Sequence, residues 1–486
     1  MRERAEHKET SRDGDSEPDR QHAVIKRAAE HAYAYLSGIA DRPVRATASG
    51  AELQQSLGGS LPLCGEDPSC VIDQLAEASL RGTVASQSPR YFGFVNGGSL
   101  PAATAADWLV SAWDQNAQVY AMSPIASVVE QIVSEWLKDI FALPPAWSVG
   151  VTTGCQMANF TGLLAARHHV LAHNDWDVER DGLFGAPPIE VIVSDESHRT
   201  IFSALKMAGL GAERVRRAHT DGQGRIRMDS LAALLKGRKG PCIVCAQAGN
   251  VNTGSVDPIK DIGPLVRERG AWLHVDGAFG LWAATTKTRR YLLEGMDLAD
   301  SLATDAHKWL NVPYDAGLVF TAHPEDHQHA LVVPAHYIQM TPGQRDSRAF
   351  TPEESRRARA VPIYAALRVL GREGVGDMVD RCCDLAAQMA KRLASHDCVR
   401  ILNDVVLNQV LVQFRPPNGS DDAAASLTTD VIRQVQEEGT CWAGGTVWHG
   451  QTAMRVSVCN WSTSPADIDR SVAGILAIVD YFRLRR

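Results

Sequence analysis

One lysine stands where covalent chemistry is possible. Lys308 lies in SLATDAHKWLNVPYDAG, just after a short apolar run, and Asn311 and Pro313 prevent a helix from continuing there. The carboxyl end of a buried strand is where ligands bind in open α/β sheets. Apolar neighbours would desolvate the amine and favour its neutral form, which can condense with an aldehyde. From this segment alone, an exposed lysine at a loop tip is an equally open alternative.

A carboxylate interrupts a second apolar run. Asp276 lies in GAWLHVDGAFGLWA, where a lone buried carboxylate would be costly without a permanent positive partner. A protonated ring nitrogen is such a partner, and the carboxylate would keep that ring cationic and able to accept electrons from a carbanion. Gly277 and Ala278 leave room for a flat ring. A helix-capping or metal-binding aspartate is the alternative, disfavoured because no other ligands stand nearby.

Two further strand ends carry polar groups. TTGCQMANF predicts a strand, a turn at Gly154 and a helix that begins near Gln156. Free backbone N–H groups of Cys155 and Gln156 would then face an anion such as a phosphate, although such a turn often has no ligand. His198, in SDESHRT, could stack on a ring or bind substrate, and a satisfied structural histidine is the alternative.

The elements that must position these residues follow an α/β pattern. Between residues 91 and 374, short apolar runs alternate with helical segments, which is typical of a mostly parallel sheet covered on both faces. The six runs are 148–153, 189–195, 242–248, 271–277, 301–307 and 316–322. Beyond them, a smaller α+β domain is predicted from helices at 377–396 and 421–438 and strands within 405–414 and 453–460.

The chain is predicted to divide into four segments. A helix is expected over 22–37, and the segment 45–88 reads as irregular. An arm of this kind could pack on a partner subunit or simply wrap the surface. The segments are a disordered N-terminus (1–20), an N-terminal arm (21–90), a large domain (91–375) and a small C-terminal domain (376–486).

Composition excludes several classes of protein. The 486 residues carry a net charge of −8, which offers no broad basic surface for nucleic acid or an anionic membrane. No run approaches the roughly 18 apolar residues of a membrane helix, and the charged start has no secretory apolar region. Cys242 and Cys245 form a CxxC within an apolar run, so we expect them to pack in the core. We expect no metal site, and a reducing cytoplasmic location.

Taken together, these segments resemble the group II pyridoxal-dependent amino-acid decarboxylases, the family of aromatic amino-acid and glutamate decarboxylases. The resemblance runs from about Pro89 to the C-terminus. Its most specific feature is the order and spacing of His198, then HVDGA with Asp276, then ATDAHKW with Lys308. Further similar segments are RYFGFVNGGSLPAA (90–103), SRRARA (355–360) and MRVSVCNW (454–461).

The resemblance implies a fold, a cofactor and an assembly. The fold is the α/β architecture of fold type I enzymes that use pyridoxal 5′-phosphate (PLP), aspartate aminotransferase-like. It combines a large, mostly parallel, seven-stranded-type sheet domain with a small α+β C-terminal domain. The implied enzyme is a PLP-dependent decarboxylase that converts an L-amino acid into an amine and CO₂. It is normally a homodimer with its active sites at the subunit interface, and the predicted arm agrees with that assembly.

Roles for individual residues are also implied by the resemblance. Lys308 matches the lysine that holds PLP as a Schiff base, and Asp276 matches the partner of the pyridine nitrogen. His198 matches the histidine stacked on the ring, and Ala278 the residue beneath its other face. Phosphate-binding or cofactor-proximal positions match Cys155, Gln156, His307 and Gln247. Segments that face substrate in the family contain Phe92, Phe94, Asn96, Gln118 and Tyr120, for which plain packing is equally open.

The sequence departs from the family in one loop. In the decarboxylases, a tyrosine ahead of the SRRAR-like helix returns a proton to the substrate carbon. Here Ser347 falls at that position, with Phe350 close by, and neither side chain is a competent acid. Thr351 begins a capping-box pattern that predicts a helix start, and Tyr337 aligns better with a structural position.

This departure leaves the product open. The alternatives to an amine-forming decarboxylase are oxidative deamination to an aldehyde, transamination, another lyase reaction, and a catalytically silent protein of the same fold. Arg455 could bind a carboxylate of the substrate or form a structural ion pair.

Overall fold

The computed structural model describes residues 17–237, 240–333 and 341–485. The chain divides into two compact units, Met1–Ala85 and Ser86–Arg486. Among the residues described, no helix is both long and apolar enough to cross a membrane.

The first unit contains three helices. They are α1 (Glu17–Ser37), α2 (Gly50–Leu57) and α3 (Pro68–Gly82). Helix α1 begins inside the segment 1–20 for which disorder was predicted, and residues 1–16 lie outside the described residues. The expectation of irregular structure over 45–88 is wrong, because α2 and α3 lie there. Their start signals were readable: Ser49 and Glu52 form a capping box, and Asp67 caps the N–H groups after Pro68.

The second unit contains the remaining helices and all the strands described. Its helices are α4 (Pro101–Trp113), α5 (Pro124–Ile140), α6 (Cys155–Ala172), α7 (Val178–Asp181), α8 (Arg199–Met207), α9 (Met228–Leu235), α10 (Ile259–Glu268), α11 (Pro324–His329), α12 (Ala360–Leu393), α13 (Asp421–Glu438) and α14 (Pro465–Arg483). Its strands are β1 (Ser148–Thr152), β2 (Glu190–Ser194), β3 (Arg216–Ala218), β4 (Cys242–Gln247), β5 (Trp272–Asp276), β6 (Ser301–Asp305), β7 (Gly317–Thr321), β8 (Val399–Ile401), β9 (Gln409–Phe414), β10 (Gly444–Trp448) and β11 (Gln451–Ser457).

The large sheet has seven strands in the order β1-β7-β6-β5-β4-β2-β3. Strands β2 to β6 pair with one another in parallel, and β7 runs antiparallel to both β1 and β6. All six predicted runs are strands of this sheet, so the mostly parallel α/β fold is confirmed. The short strand β3 was missed because Arg216 and Arg217 are exposed and leave no apolar run to recognise.

The register of this sheet brings three polar strand ends to one edge. Gln247 at the end of β4 lies opposite Asp276 at the end of β5, and Asp276 lies opposite Ala303 of β6. Because these strands are parallel, the loops that follow them leave from the same edge. Asp305 ends β6, and Lys308 follows it in the loop.

The second sheet is small and antiparallel, in the order β10-β11-β9-β8. Helices α13 and α12 pack against it and α14 packs on these two helices, which confirms the predicted small α+β portion at the C-terminal end. Helix α12 runs across the predicted boundary at 375/376, with a break in helical geometry at Gly371.

The helix start predicted at Thr351 is wrong, because α12 begins only at Ala360. The intervening segment is held instead by a buried ion pair. The guanidinium of Arg356 donates to Glu130 of α5 over 2.7 Å, and both side chains are fully buried. This pairing fixes residues around 356 in a non-helical conformation that the capping pattern could not reveal.

Candidate active site

Five of the predicted site residues line one pocket at the carboxyl edge of the large sheet. They are His198, Gln247, Asp276, Ala278 and Lys308, joined by Gly249, Val251 and Phe279. Each comes from a segment that follows a buried parallel strand. The structure therefore brings together residues that are separated by up to about a hundred positions in the chain.

Lys308 forms an ion pair with a buried carboxylate. Its Nζ lies 2.9 Å from Oδ2 of Asp305, which ends strand β6. Burial disfavours the charged amine, but the attraction of Asp305 outweighs it and raises the pKa of Lys308 above its ordinary value. The expectation of a neutral, desolvated amine is therefore wrong for the cofactor-free protein. The sequence prediction considered only apolar neighbours of the lysine and did not include Asp305, three residues before it, as an ion-pair partner.

The same carboxylate occupies the start of helix α6. Oδ1 of Asp305 accepts the backbone N–H of Cys155 over 2.5 Å. His307 lies beside it, with Nε2 at 3.4 Å from Asp305 and Nδ1 accepting the N–H of Ala316. Burial lowers the pKa of His307, and Gln156 is exposed on the first turn of the helix. The predicted phosphate-binding groups are thus adjacent, and an acidic side chain already uses one of their N–H donors.

Asp276 is buried and held by neutral donors. Its Oδ2 accepts the amide of Asn159 over 3.1 Å, and its Oδ1 accepts the N–H of Ala278 over 3.0 Å. The thiol of Cys155 also points to Oδ1, over 3.4 Å. Among the described residues no cationic side chain forms an ion pair with Asp276. A buried carboxylate whose hydrogen-bond partners are all neutral, and on which the charge of Lys308 acts only from across the pocket, fits a ligand that carries its own positive charge.

A hydrogen-bonded chain behind Asp276 fixes its orientation. Asn159 accepts from Nε2 of His274 over 2.9 Å, and Nδ1 of His274 accepts from Ser301 over 2.8 Å. Burial lowers the pKa of His274 to about 4, so the ring is neutral at physiological pH. Asn159 and His274 were not predicted from the sequence. Asn159 lies one helical turn after Cys155, and that spacing is the only signal that could have suggested it.

His198 is fixed by the helix that it caps. Its Nδ1 accepts the N–H of Thr200 at the start of α8 and lies 2.8 Å from the Thr200 hydroxyl. Burial lowers the pKa of His198, and the positive charges of Lys308 and Arg455 lower it further while Asp276 opposes them. The ring is therefore neutral and held in one orientation. Gln247 lies nearby, with its amide donating to the carbonyl of Gly224 over 3.4 Å.

The first three residues predicted to face substrate lie on one segment. Phe92 is 1% exposed and belongs to the hydrophobic core, whereas Phe94 is 61% exposed and packs on Trp442. Asn96 accepts a hydrogen bond from the Tyr314 hydroxyl over 2.8 Å. None of the three lines the pocket around Lys308. The segment nevertheless passes close by, because a Cβ at position 97 would come within 1.8 Å of the Lys308 carbonyl oxygen.

The other two lie against the loop that departs from the family. The side chain of Gln118 hydrogen-bonds to Glu354, and the N–H of Tyr120 donates to Asp346 over 3.0 Å. Neither Gln118 nor Tyr120 lines the Lys308 pocket. Within this single chain, Gln118 and Tyr120 therefore do not contact the pocket.

Ser347 and Phe350 form the ends of a 3-10 helix, Ser347–Phe350. Ser347 is buried, and the Phe350 ring packs under the guanidinium of Arg345 at 4.3 Å. Neither residue lines the pocket around Lys308. Tyr337 lies outside the described residues.

Arg455 lies on β11, between Leu411 and Gly444 of the neighbouring strands. Burial lowers its pKa, and its charge reaches His198. Within the part of the chain that the structure describes, the guanidinium of Arg455 forms no ion pair or hydrogen bond. The alternative of a structural ion pair therefore finds no partner among the described residues, and Arg455 does not line the Lys308 pocket.

Comparison with known proteins identifies the family of the chain. Residues 53–415 match the model of the pyridoxal-dependent decarboxylase conserved domain. The chain is 25% identical over 456 residues to an aromatic-L-amino-acid decarboxylase of Bacillus atrophaeus, with 92% of each chain covered. It is 24% identical over 421 residues to a 4-hydroxyphenylacetaldehyde synthase of Rhodiola rosea, with 85% of each covered.

Solved structures show the same fold. The crystal structure of Oryza sativa TDC with PLP and tryptamine superposes with a TM-score of 0.89 at 20% identity, over 96% of this chain and 98% of that chain. The crystal structure of mouse CSAD superposes with a TM-score of 0.88 at 20% identity, over 95% and 99% respectively.

Proposed function

The chain belongs to the pyridoxal-dependent decarboxylase family, and on that premise we propose that it converts an L-amino acid into its amine and CO₂, with Lys308 as the residue that binds the cofactor covalently. It is a PLP-dependent carboxy-lyase of fold type I, and PLP is its cofactor. Bound PLP supplies an electron sink for the electron pair that remains on the substrate when CO₂ leaves.

The observation that carries the residue assignment is the buried carboxylate of Asp276 in the Lys308 pocket. Its oxygens are fixed by Asn159 and by the Ala278 N–H, and it lacks a cationic partner among the residues described. It would hold the ring nitrogen protonated. Ala278 and His198 line the same pocket and would enclose the ring from its two faces. Gln247, opposite Asp276 in the sheet, would border the ring.

Asp305 would control the protonation of Lys308. In the cofactor-free protein it holds the proton on the amine, and condensation with an aldehyde requires that proton to leave. We propose that Cys155, Gln156 and His307 bind the phosphate, and that the phosphate displaces Asp305 from the N–H of Cys155.

Arg455 is the proposed carboxylate-binding residue for the substrate. It is partly buried, carries no ion pair within the described residues, and its charge acts on His198. A guanidinium in such a place matches a carboxylate in charge and geometry. This would orient the amino acid before the chemical step.

An aldehyde is the second candidate product. The acid expected on the loop is replaced by Ser347, which is buried outside the Lys308 pocket. Relatives at 24% identity include the 4-hydroxyphenylacetaldehyde synthase and a phenylacetaldehyde synthase. If proton return to the substrate carbon is slow, reaction with oxygen would compete with amine release.

We also propose a homodimer that buries α4 and the start of α5. Large apolar side chains there are exposed in the single chain, among them Trp108, Leu109, Trp113, Ile125 and Val128. Contiguous exposed apolar surface marks an interaction site. A second copy would also bring Phe94 and Tyr314, both exposed beside the site, against a partner surface. Analytical ultracentrifugation at micromolar concentration tests this, and a monomer would contradict it.

The ten cysteines are all unpaired, and we propose a cytoplasmic location for that reason. The reaction itself is tested by incubating PLP-loaded protein with each proteinogenic amino acid and measuring CO₂, amine, aldehyde and hydrogen peroxide. CO₂ with a stoichiometric amine supports the decarboxylase. CO₂ with aldehyde and peroxide but no amine supports the second candidate, and no CO₂ with any amino acid contradicts both.

A further inference from the structure

A group of histidines lies at the other edge of the large sheet, away from Lys308. Asp300 immediately precedes β6, and Pro241 and Ala271 precede β4 and β5, so this is the edge of strand starts. These residues line a pocket of about 300 Å³ together with His169, His173 and His323. The proposed function uses none of them.

Three ligand-type side chains converge beside this pocket. Nδ1–H of His169 donates a hydrogen bond to Oδ2 of Asp326 over 2.6 Å, and a bound cation would replace this proton; Nδ1 of His323 lies 3.9 Å from the same oxygen. One ligand atom from each of the three side chains lies within 4.8 Å of the others. Ligands about 2.0–2.1 Å from a tetrahedral zinc ion are roughly 3.3 Å apart, so small side-chain movements would complete the geometry. All three side chains are partly exposed, so an ion can reach them.

Two histidines of this group are hydrogen-bonded through their second ring nitrogens, as ligating histidines are in metal centres. Nε2 of His323 is hydrogen-bonded to Oδ1 of Asp300 over 2.9 Å, which leaves Nδ1 as the lone-pair atom that faces Asp326. This carboxylate–histidine arrangement orients ligating histidines in metal sites and raises their basicity. His173 likewise hydrogen-bonds through Nδ1 to the carbonyl of His169 over 2.9 Å, which leaves its Nε2 as an acceptor.

The fold makes the arrangement rigid. His169 lies in the last turn of α6, His323 caps α11, and Asp326 lies in the first turn of α11. The indole of Trp272 packs on both His169 and His323, with ring centroids 5.0 and 4.9 Å apart. The ligands therefore come from two helices that the same aromatic side chain supports.

We propose that His169, His323 and Asp326 form a binding site for a divalent cation of the zinc class, with the fourth position open to the pocket where His173 stands. Two imidazoles and one carboxylate favour Zn²⁺ over Mg²⁺ and Ca²⁺, which prefer oxygen ligands alone. The bound ion would tie the end of α6 to the start of α11. Because it would bind the folded state, it would raise thermal stability with rising ion concentration.

The test uses full-length, PLP-loaded protein freed of metal with a chelator. Titration with Zn²⁺ by calorimetry is expected to give one ion per chain, and Co²⁺ is expected to produce visible absorption bands of a site with nitrogen ligands. Mg²⁺ is expected to give neither signal. The melting temperature should rise with Zn²⁺ and return after chelation.

Variants separate this site from unspecific binding. His323→Ala and Asp326→Asn remove ligands and should abolish the cobalt bands, whereas Asp300→Asn should weaken binding about 10–100-fold. His219→Gln is the matched control, because His219 forms an exposed pair with Asp195 without a third ligand. Two ligand variants are made in case one of them fails to fold. Circular dichroism checks folding, and one folded variant is enough for the test. Absence of cobalt bands in the wild type, or unchanged affinity in a folded ligand variant, would overturn the proposal.

Discussion

Nζ of Lys308 and Oδ2 of Asp305 lie 2.9 Å apart, and the same aspartate also accepts the N–H of Cys155 at the start of α6. One buried carboxylate thus contacts both the amine proposed to bind the cofactor and the helix end proposed to bind its phosphate. In the cofactor-free protein this contact stabilises the charged lysine. Cofactor capture must break it.

Asp305→Asn should speed PLP capture at neutral pH. The raised pKa of Lys308 means that its pairing stabilises the folded protein at any pH below the ordinary lysine pKa, and that this contribution is lost as pH rises through the folded value. The variant loses that contribution, but a larger fraction of its Lys308 amine is neutral. This fraction rises about tenfold for each unit by which the pKa falls. Stopped-flow absorbance after mixing with PLP measures the rate. Asp229→Asn, which removes a surface partner of Arg227, is the control, and equal rates in both variants would refute the role of Asp305.

Asp276→Asn should abolish most activity without preventing covalent attachment. An amide cannot keep a ring nitrogen protonated, and losing one partner of a buried charge pair costs about 3–5 kcal/mol, which corresponds to a kcat roughly 10²–10⁴-fold lower. Single-turnover kinetics and the visible spectrum of the loaded variant measure the two effects. A variant with near-normal kcat would show that Asp276 has only a structural role.

Arg455→Gln should raise KM and change kcat less. Burial without an ion pair in the described chain leaves its charge for a substrate carboxylate. A lost charge-assisted hydrogen bond of about 1.5–3 kcal/mol corresponds to a KM roughly 10–100-fold higher. Steady-state kinetics on the best amino acid measures it, and Arg455→Lys should recover part of the loss. An unchanged KM in Arg455→Gln would exclude substrate binding by this residue.

Glu130→Gln should destabilise the protein in a pH-dependent way. Burial opposes the charge on Glu130, but Arg356 and Arg345 outweigh it and lower its pKa. Its contribution is therefore full above the ordinary carboxyl pKa and is lost as pH falls through the lowered value. Leaving two buried guanidinium groups without their partner should cost about 3–5 kcal/mol near pH 7. Urea unfolding from pH 7 to 4 measures the difference in the free energy of unfolding between the wild type and the variant. A difference that grows towards pH 4 would contradict the predicted pH dependence.

The large sheet was predictable because its strands are buried on both faces and so appear as uninterrupted apolar runs. Strand β3 was not, since it carries exposed arginines. Helices α2 and α3 begin at local capping signals, at Ser49 and Asp67, but lack the long apolar periodicity that marks a helix in sequence. The late start of α12 depends instead on the buried pair of Arg356 with Glu130.

The pocket was predictable where residues follow strand ends, as for Asp276 and Lys308. Its supporting contacts were not, because Asn159 reaches Asp276 across 117 positions and Asp305 reaches Cys155 across 150. The order of strands in the sheet decides which of these residues, distant along the chain, meet in space. The histidine group at the opposite edge was missed for the same reason, since His169 and Asp326 are 157 positions apart.

The central proposal, that Lys308 binds PLP covalently, has a direct measurement. Purified protein is incubated with PLP, reduced with borohydride, digested and analysed by mass spectrometry. We expect a pyridoxyl adduct on the peptide that contains Lys308, and its absence from Lys308→Ala. An adduct on a different lysine, or none with the wild type after full reconstitution, would contradict the proposal.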